Sequence, residues 1–67
     1  MKEPLWKTRV REERRELLDR IETLLGWLEI EGQLVVGKDE AVRMRAQLVP
    51  MTVYLEILDM RIKAWEK

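Results

Sequence analysis

The side chains of this sequence that could do chemistry are carboxylates and arginines. The 67 residues contain no cysteine, histidine or serine. Thiolate nucleophiles, His-based acid–base pairs, Ser-based triads, disulfides and Cys/His zinc sites are therefore excluded. A bound metal would need oxygen ligands, as Mg²⁺ does, and the sequence has no glycine-rich phosphate loop or cofactor motif. The composition predicts a protein without catalytic residues, cofactor or metal.

Two acidic fragments are the strongest candidates for an enzymatic site. Glu12-Glu13-x-x-Glu16 and Glu56-x-x-Asp59 resemble the EExxE and ExxD motifs with which MazG-like all-α nucleotide pyrophosphohydrolases hold Mg²⁺ inside a four-helix bundle. The resemblance implies Mg²⁺-dependent pyrophosphate release from a nucleotide. The alternative is ordinary surface ion pairing, which charge-rich helices produce without a metal. We rank ion pairing first, because the expected helix register puts the two fragments on opposite sides of the molecule.

The basic residues suggest a different partner. The chain carries 13 Lys+Arg and 13 Asp+Glu, yet residues 1–15, 16–40 and 41–67 hold net charges of +3, −5 and +2. Antiparallel pairing would bring the two positive parts together at one end, where they could bind the phosphates of a nucleic acid. The candidates at this basic end are Lys7, Arg9, Arg11, Arg61 and Lys63. Acidic residues interleave with these arginines, so nucleic acid is the alternative partner and not the leading one.

Two long amphipathic helices must position these side chains. The first is predicted over about residues 4–31, with Pro4 in its first turn and Gly32 as its C-terminal cap. The second is predicted over about residues 39–66, with Asp39 as N-cap. The apolar face of the first helix comprises Leu17, Ile21, Leu24 and Leu28, widened by Leu18 and Leu25. The apolar seam of the second comprises Ala41, Met44, Leu48, Met51, Leu55, Leu58, Ile62 and Trp65.

Pro50 lies inside the second predicted helix. A proline in a helix interior removes one hydrogen bond and clashes with the preceding turn. Two outcomes remain open at this level. The helix is kinked and bends around the bundle, or it is broken, which would open a groove or free one half of the helix to engage a partner.

The predicted fold class is all-α: a single antiparallel helical hairpin over residues 1–67, with a loop at 32–38. So small a chain rarely builds a sufficient core alone, and the second helix has apolar residues well outside its seam. We therefore predict a homodimer in which two hairpins form a four-helix bundle, with a higher oligomer as the next possibility. The predicted dimer interface comprises Val42, Leu48, Val49, Val53, Ile57 and Met60.

Aromatic and loop residues supply further candidates. Trp6 and Trp65 are expected to meet at the open end of the hairpin and to cap its core. Trp27 falls at the edge of the first apolar face, and tryptophan is a common hot-spot residue at interfaces. The loop is unusually apolar, so it either folds back on the end of the hairpin or docks into another protein. The partner-binding candidates are Trp27, Leu34, Val35 and Val36.

The leading functional prediction is a non-enzymatic protein–protein interaction module. It would act as a regulator, inhibitor or adaptor, occupying a surface on a larger protein as a homo-oligomer. No apolar stretch approaches the roughly 20 residues that span a bilayer, and no export signal is evident. A cytoplasmic location without membrane contact is the corresponding expectation.

Overall fold

The predicted all-α hairpin is confirmed. A computed structural model describes residues 3–30 and 36–66. Helix α1 spans Leu5–Ile30 and helix α2 spans Lys38–Trp65. The two helices pack against each other in antiparallel orientation, and the described residues contain no strand. Neither described helix combines the length and the apolar character that crossing a membrane requires.

The start of α1 is fixed by Pro4. Its carbonyl oxygen accepts hydrogen bonds from the backbone N–H groups of Lys7, at 3.0 Å, and Thr8, at 3.3 Å. Pro4 therefore stands just before the first helical residue, where its missing N–H costs nothing. The helix starts one residue later than predicted. Its predicted end at residue 31 and the cap at Gly32 lie outside the described residues.

The start of α2 differs from the prediction. Its N-cap is Gly37, whose carbonyl accepts the Ala41 N–H at 3.0 Å, so Asp39 as N-cap is wrong. Gly37 has φ of 87°, a backbone conformation that residues with a side chain rarely adopt. Asp39 and Glu40 occupy the first turn instead. Their carboxylates there interact favourably with the positive end of the helix dipole.

Helix α2 continues through Pro50 without interruption, so the broken-helix alternative is wrong. Pro50 is exposed, and no described element packs over it closely enough to bury its ring. Two residues later the Thr52 hydroxyl donates a hydrogen bond of 2.8 Å to the Leu48 carbonyl. The seam of α2 therefore stays in register on both sides of the proline.

The core is a single strip of aliphatic side chains between the helices. Leu58 is fully buried at its centre. The buried cluster comprises Val10, Leu17, Ile21, Leu58 and Ile62, and the half-buried residues packed on it are Leu48, Met51, Leu55 and Trp65. Ala41 and Met44 are also buried. Every predicted seam residue of α2 is therefore buried or half-buried, which confirms the three–four spacing as the inner face of the helix.

The apolar face of α1 is narrower than predicted. Leu17 and Ile21 are buried, whereas Leu25 remains 41% exposed. Val10 is buried one heptad before Leu17, a core position that the sequence pattern did not single out. The face of α1 thus extends further toward the N-terminus and covers less of the helix circumference.

The hairpin exposes a large surface area to solvent for a protein of its mass. Its principal extents are 50 × 17 × 15 Å, and it exposes 5458 Å². A compact monomer of this mass, 8.1 kDa, exposes about 4,500 Å². The excess of roughly 1,000 Å² arises because two helices enclose only one strip of core.

The two described glycines give a test of this backbone. A Cβ at Gly26 or at Gly37 would meet no atom within 4 Å, but only Gly37 has a positive φ. Gly26→Ala is expected to stabilise the fold by about 0.5–1 kcal/mol, because glycine is a poor residue in a helix interior. Gly37→Ala is expected to destabilise it by about 1–3 kcal/mol, the cost of a strained backbone conformation. Urea denaturation followed by circular dichroism measures both; equal effects of the two substitutions would contradict the assigned cap.

Candidate interaction surface

Helix α2 has a second apolar face, directed away from α1. We call it the outer stripe; it consists of Val42, Ala46, Val49, Val53, Ile57, Met60 and Ala64. All seven residues are exposed, with exposed fractions between 48% for Ile57 and 68% for Met60 among the large ones. At 3.6 residues per turn the stripe is centred about 180° from the buried seam. It contains no charged or polar residue.

The outer stripe contains five of the six residues predicted for a dimer interface. Leu48 is the exception, because it is half-buried and packs on the core of the hairpin. Its edge, together with Val49, Thr52 and Val53, lines a shallow apolar groove beside the stripe. The structure therefore assigns Leu48 to the hairpin core and leaves the other five available to a partner.

Helix α1 has no counterpart of the outer stripe. Its outward positions include the exposed side chains of Glu12, Arg15, Asp19 and Glu22. These charged groups are favourably solvated where they are, and covering them would cost desolvation energy. The two helices thus differ in kind: α1 has one apolar face and α2 has two.

The open end of the hairpin carries the two tryptophans that were predicted to meet. The ring centroids of Trp6 and Trp65 are 5.1 Å apart at an interplanar angle of 76°, an edge-to-face contact. The Lys7 Nζ lies 5.6 Å from the Trp6 ring centroid and 5.4 Å from that of Trp65. The Arg11 guanidinium lies 5.3 Å from the Trp65 centroid. Both cations are within the range of cation–π attraction.

Arg11 is also held by carboxylates from both ends of the chain. Its Nε is 3.0 Å from Glu3 Oε2, and its Nη1 is 3.2 Å from Glu66 Oε2. These hydrogen bonds raise the pKa of the Arg11 guanidinium above its ordinary value. Two of the five basic-end candidates, Lys7 and Arg11, are therefore already engaged within the hairpin.

The other three basic-end candidates do not form one patch. Arg61 lies near the Tyr54 hydroxyl, whose partner is Glu13, and Arg9 is one turn from Glu13 on the same side of α1. Lys63 instead borders a groove on the other side of the hairpin, with Arg14, Asp59 and Glu66 among its lining residues. Arg9 and Arg61 therefore share one flank of the hairpin, and Lys63 lies on the other.

The carboxylates of the two acidic fragments do not converge. The Tyr54 hydroxyl donates a hydrogen bond to Glu13, and Arg14 pairs with Asp59. Positions 13 and 14 are separated by about 100° around α1, so these contacts lie on opposite flanks of the core. The part of the chain that the structure describes contains no group of three or more metal-ligating side chains. Of the five carboxylates in these fragments, Asp59 forms an ion pair between the helices, with Arg14. Ion pairing is the alternative that the sequence analysis preferred to a Mg²⁺ site.

The predicted partner-binding residues are only partly described. Trp27 is 49% exposed, and Val36 is half-buried just before α2. Leu34 and Val35 lie outside the described residues. Trp27 is thus the one of the four that offers a large exposed aromatic surface in the described part of the chain.

One groove was not anticipated from the sequence. It lies between the helices near their middle, and its lining residues are Asp19, Arg20, Thr23, Leu24, Gln47 and Met51. The residue numbers of two facing positions there add up to about 71, as those of Trp6 and Trp65 do. The antiparallel register would have predicted these neighbours, but none of the residues carries a recognisable motif.

Fold and surface together define a class: a small helical hairpin, all-α over its described residues, with an exposed apolar face on α2. The Sequestin family model matches residues 4–64. This range covers nearly the whole chain, and the chain therefore belongs to the Sequestin family. Comparisons with curated proteins and with solved structures gave no match.

The Tyr54–Glu13 contact predicts a pH dependence. Hydrogen bonding to Glu13, followed by desolvation, raises the pKa of the Tyr54 hydroxyl above its ordinary value. The contact therefore stabilises the fold below the unfolded pKa of about 10, and this stabilisation is lost as pH rises through the folded pKa. Tyr54 is the only tyrosine, so the change in ultraviolet absorbance when a tyrosine hydroxyl ionises at alkaline pH reports the titration of Tyr54 alone. Glu13→Gln should lower the pKa of the Tyr54 hydroxyl, whereas Glu12→Gln, at the neighbouring exposed position, should leave that pKa unchanged.

Proposed function

We propose that this chain is a small, non-enzymatic binding protein that sequesters another molecule and works as a homo-oligomer. The family description, Sequestin, supports the sequestering role. The observation that carries the proposal is the outer stripe, a continuous uncharged face of α2 that the hairpin itself leaves exposed. Contiguous exposed apolar surface of this kind marks interaction sites in water-soluble proteins.

We propose that the sequestered molecule is a larger protein on whose surface the hairpin docks. The side chain that favours this is Trp27, which is half exposed although tryptophan is costly to leave in water. Tryptophan is also enriched among the residues that carry most of the binding energy at protein interfaces. In this arrangement the outer stripe serves self-association and the region around Trp27 serves the partner.

The alternatives find less support in the contacts. A nucleic-acid interface needs cations that are free to neutralise phosphates, whereas Arg11 pairs with Glu3 and Glu66, and Arg14 pairs with Asp59. A Mg²⁺ site of the MazG type needs several carboxylates around one point, and Glu13 and Asp59 lie on opposite flanks. Nucleic-acid binding and nucleotide hydrolysis therefore rank below protein binding.

Self-association is tested by light scattering after size exclusion. The expected result is a mass above that of the monomer at micromolar concentration. Val53→Glu should return the protein to a monomer, because it would bury an unpaired carboxylate at a cost of several kcal/mol. Thr23→Glu introduces the same charge at an exposed position of α1 and should leave the mass unchanged. A wild-type protein that is monomeric yet helical and cooperatively folded would contradict the homo-oligomer.

The partner is tested by capture from the native lysate with tagged wild-type protein and a tagged Trp27→Ala variant. Both should have the same oligomeric mass and helical content. A protein recovered with wild type and lost, or reduced at least tenfold, with Trp27→Ala would support the proposed partner. The captured material is also denatured and its small-molecule fraction is analysed. Release of a small molecule or a nucleic acid, with no accompanying protein, would contradict the protein partner while retaining the sequestering role.

A further inference from the structure

We propose that the outer stripe is an interface for a second copy of this chain, with the two α2 helices antiparallel and a two-fold axis passing beside Val53. The inference rests on the homo-oligomer proposed above and specifies its geometry. The resulting order of helices is α1, α2, α2, α1, with the two α2 helices in the centre.

The spacing of the outer stripe supports this symmetry. Its positions are 42, 46, 49, 53, 57, 60 and 64, and they are symmetric about 53. Antiparallel pairing about that point puts position 42 opposite 64, 46 opposite 60, 49 opposite 57, and 53 opposite itself. A two-fold interface requires a self-complementary surface of this kind, in which each contact occurs twice.

The sizes of the paired side chains are complementary as well. Ala46 of one copy faces Met60 of the other, so the smallest and the longest side chains of the stripe meet. Ala64 faces Val42 in the same way, and the branched residues pair near the centre. Parallel pairing would instead place alanine against alanine and methionine against methionine, leaving gaps at one level and crowding at another. Alternating large and small side chains across an interface is what allows helices to interdigitate.

The charge pattern points to α2 as the helix that pairs. The stripe is uncharged over 23 positions from Val42 to Ala64, so covering it buries no charge within the stripe. The outward face of α1 carries exposed Glu12, Arg15 and Asp19, whose burial would cost desolvation energy. A second copy that docked through α1 would have to bury these groups.

The available area fits a dimer of modest affinity. Covering the stripe on both copies would remove on the order of 1,000 Å² from water, close to the lower limit for stable specific interfaces. For each copy this is about 500 Å², roughly half of the excess surface of the isolated hairpin. Because the two apolar faces of α2 are opposite each other, the dimer is a flat layer of four helices. It differs in this respect from the compact four-helix bundle expected from the sequence.

Cysteine cross-linking tests the register, since the natural chain has no cysteine. Under mild oxidation Val53→Cys should form a disulfide-linked dimer, because position 53 meets itself at the axis. Val42→Cys alone should remain reduced, since its two copies would be about 33 Å apart along the helices, far beyond disulfide reach. A mixture of Val42→Cys and Ala64→Cys should cross-link as a heterodimer. All three positions are exposed in the hairpin, so the substitutions should leave its fold unchanged by circular dichroism.

Spin labels on the same cysteines give an independent distance. The separation at position 42 is expected to be about 33 Å, and the separation at position 53 should be the shortest of the three. Cross-linking of Val42→Cys with itself, or a short label distance there, would overturn the antiparallel register. A dimer by light scattering with no cross-link at Val53→Cys would place the interface elsewhere and overturn the inference while the homo-oligomer stands. A monomeric wild type would overturn both.

Discussion

One helix can cover only one face of another, and α2 has two apolar faces. Its inner face packs on α1 around Leu58, and the two packed faces form the core of the hairpin. Its outer face has no neighbour among residues 3–30 and 36–66 and is exposed there. Burial of apolar surface is the main favourable term in folding. The hairpin therefore buries one of the two apolar faces of α2, and the other is the physical basis for the association proposed above.

The polar contacts between the described residues connect the two helices at the open end and on both flanks. At the open end Arg11 joins Glu3 to Glu66 and also packs on Trp65. Further along, Arg14–Asp59 and Tyr54–Glu13 connect the two helices on opposite flanks. Each of these contacts is exposed or half-exposed, so it contributes modestly to stability. Together they link α1 to α2, and they engage Arg11, Glu13 and Asp59, three of the residues considered for phosphate or metal binding.

A binding role is consistent with these constraints. A protein of 67 residues with one strip of core has little interior in which to enclose a ligand, so its surface must do the binding. Membership of the Sequestin family agrees with such a role. Association through α2 would cover the largest uncharged surface and leave Trp27 and the flanks of the hairpin accessible. Self-association and partner binding would then use different parts of the same two helices.

The spacing of the apolar residues determined the architecture. Apolar side chains that recur every three and four residues lie on one face of a helix, and burying that face requires a neighbouring element. The spacing predicted the hairpin, the seam of α2, its second apolar stripe and the meeting of Trp6 with Trp65. Only the tertiary structure decided finer points: Gly37 rather than Asp39 caps α2, and Val10 joins the core. It also decided which charges pair across the helices. Such contacts depend on how α1 is rotated against α2 and shifted along it, to within about the width of one side chain. The apolar spacing defines the direction of a helix face only to within about a quarter of a turn.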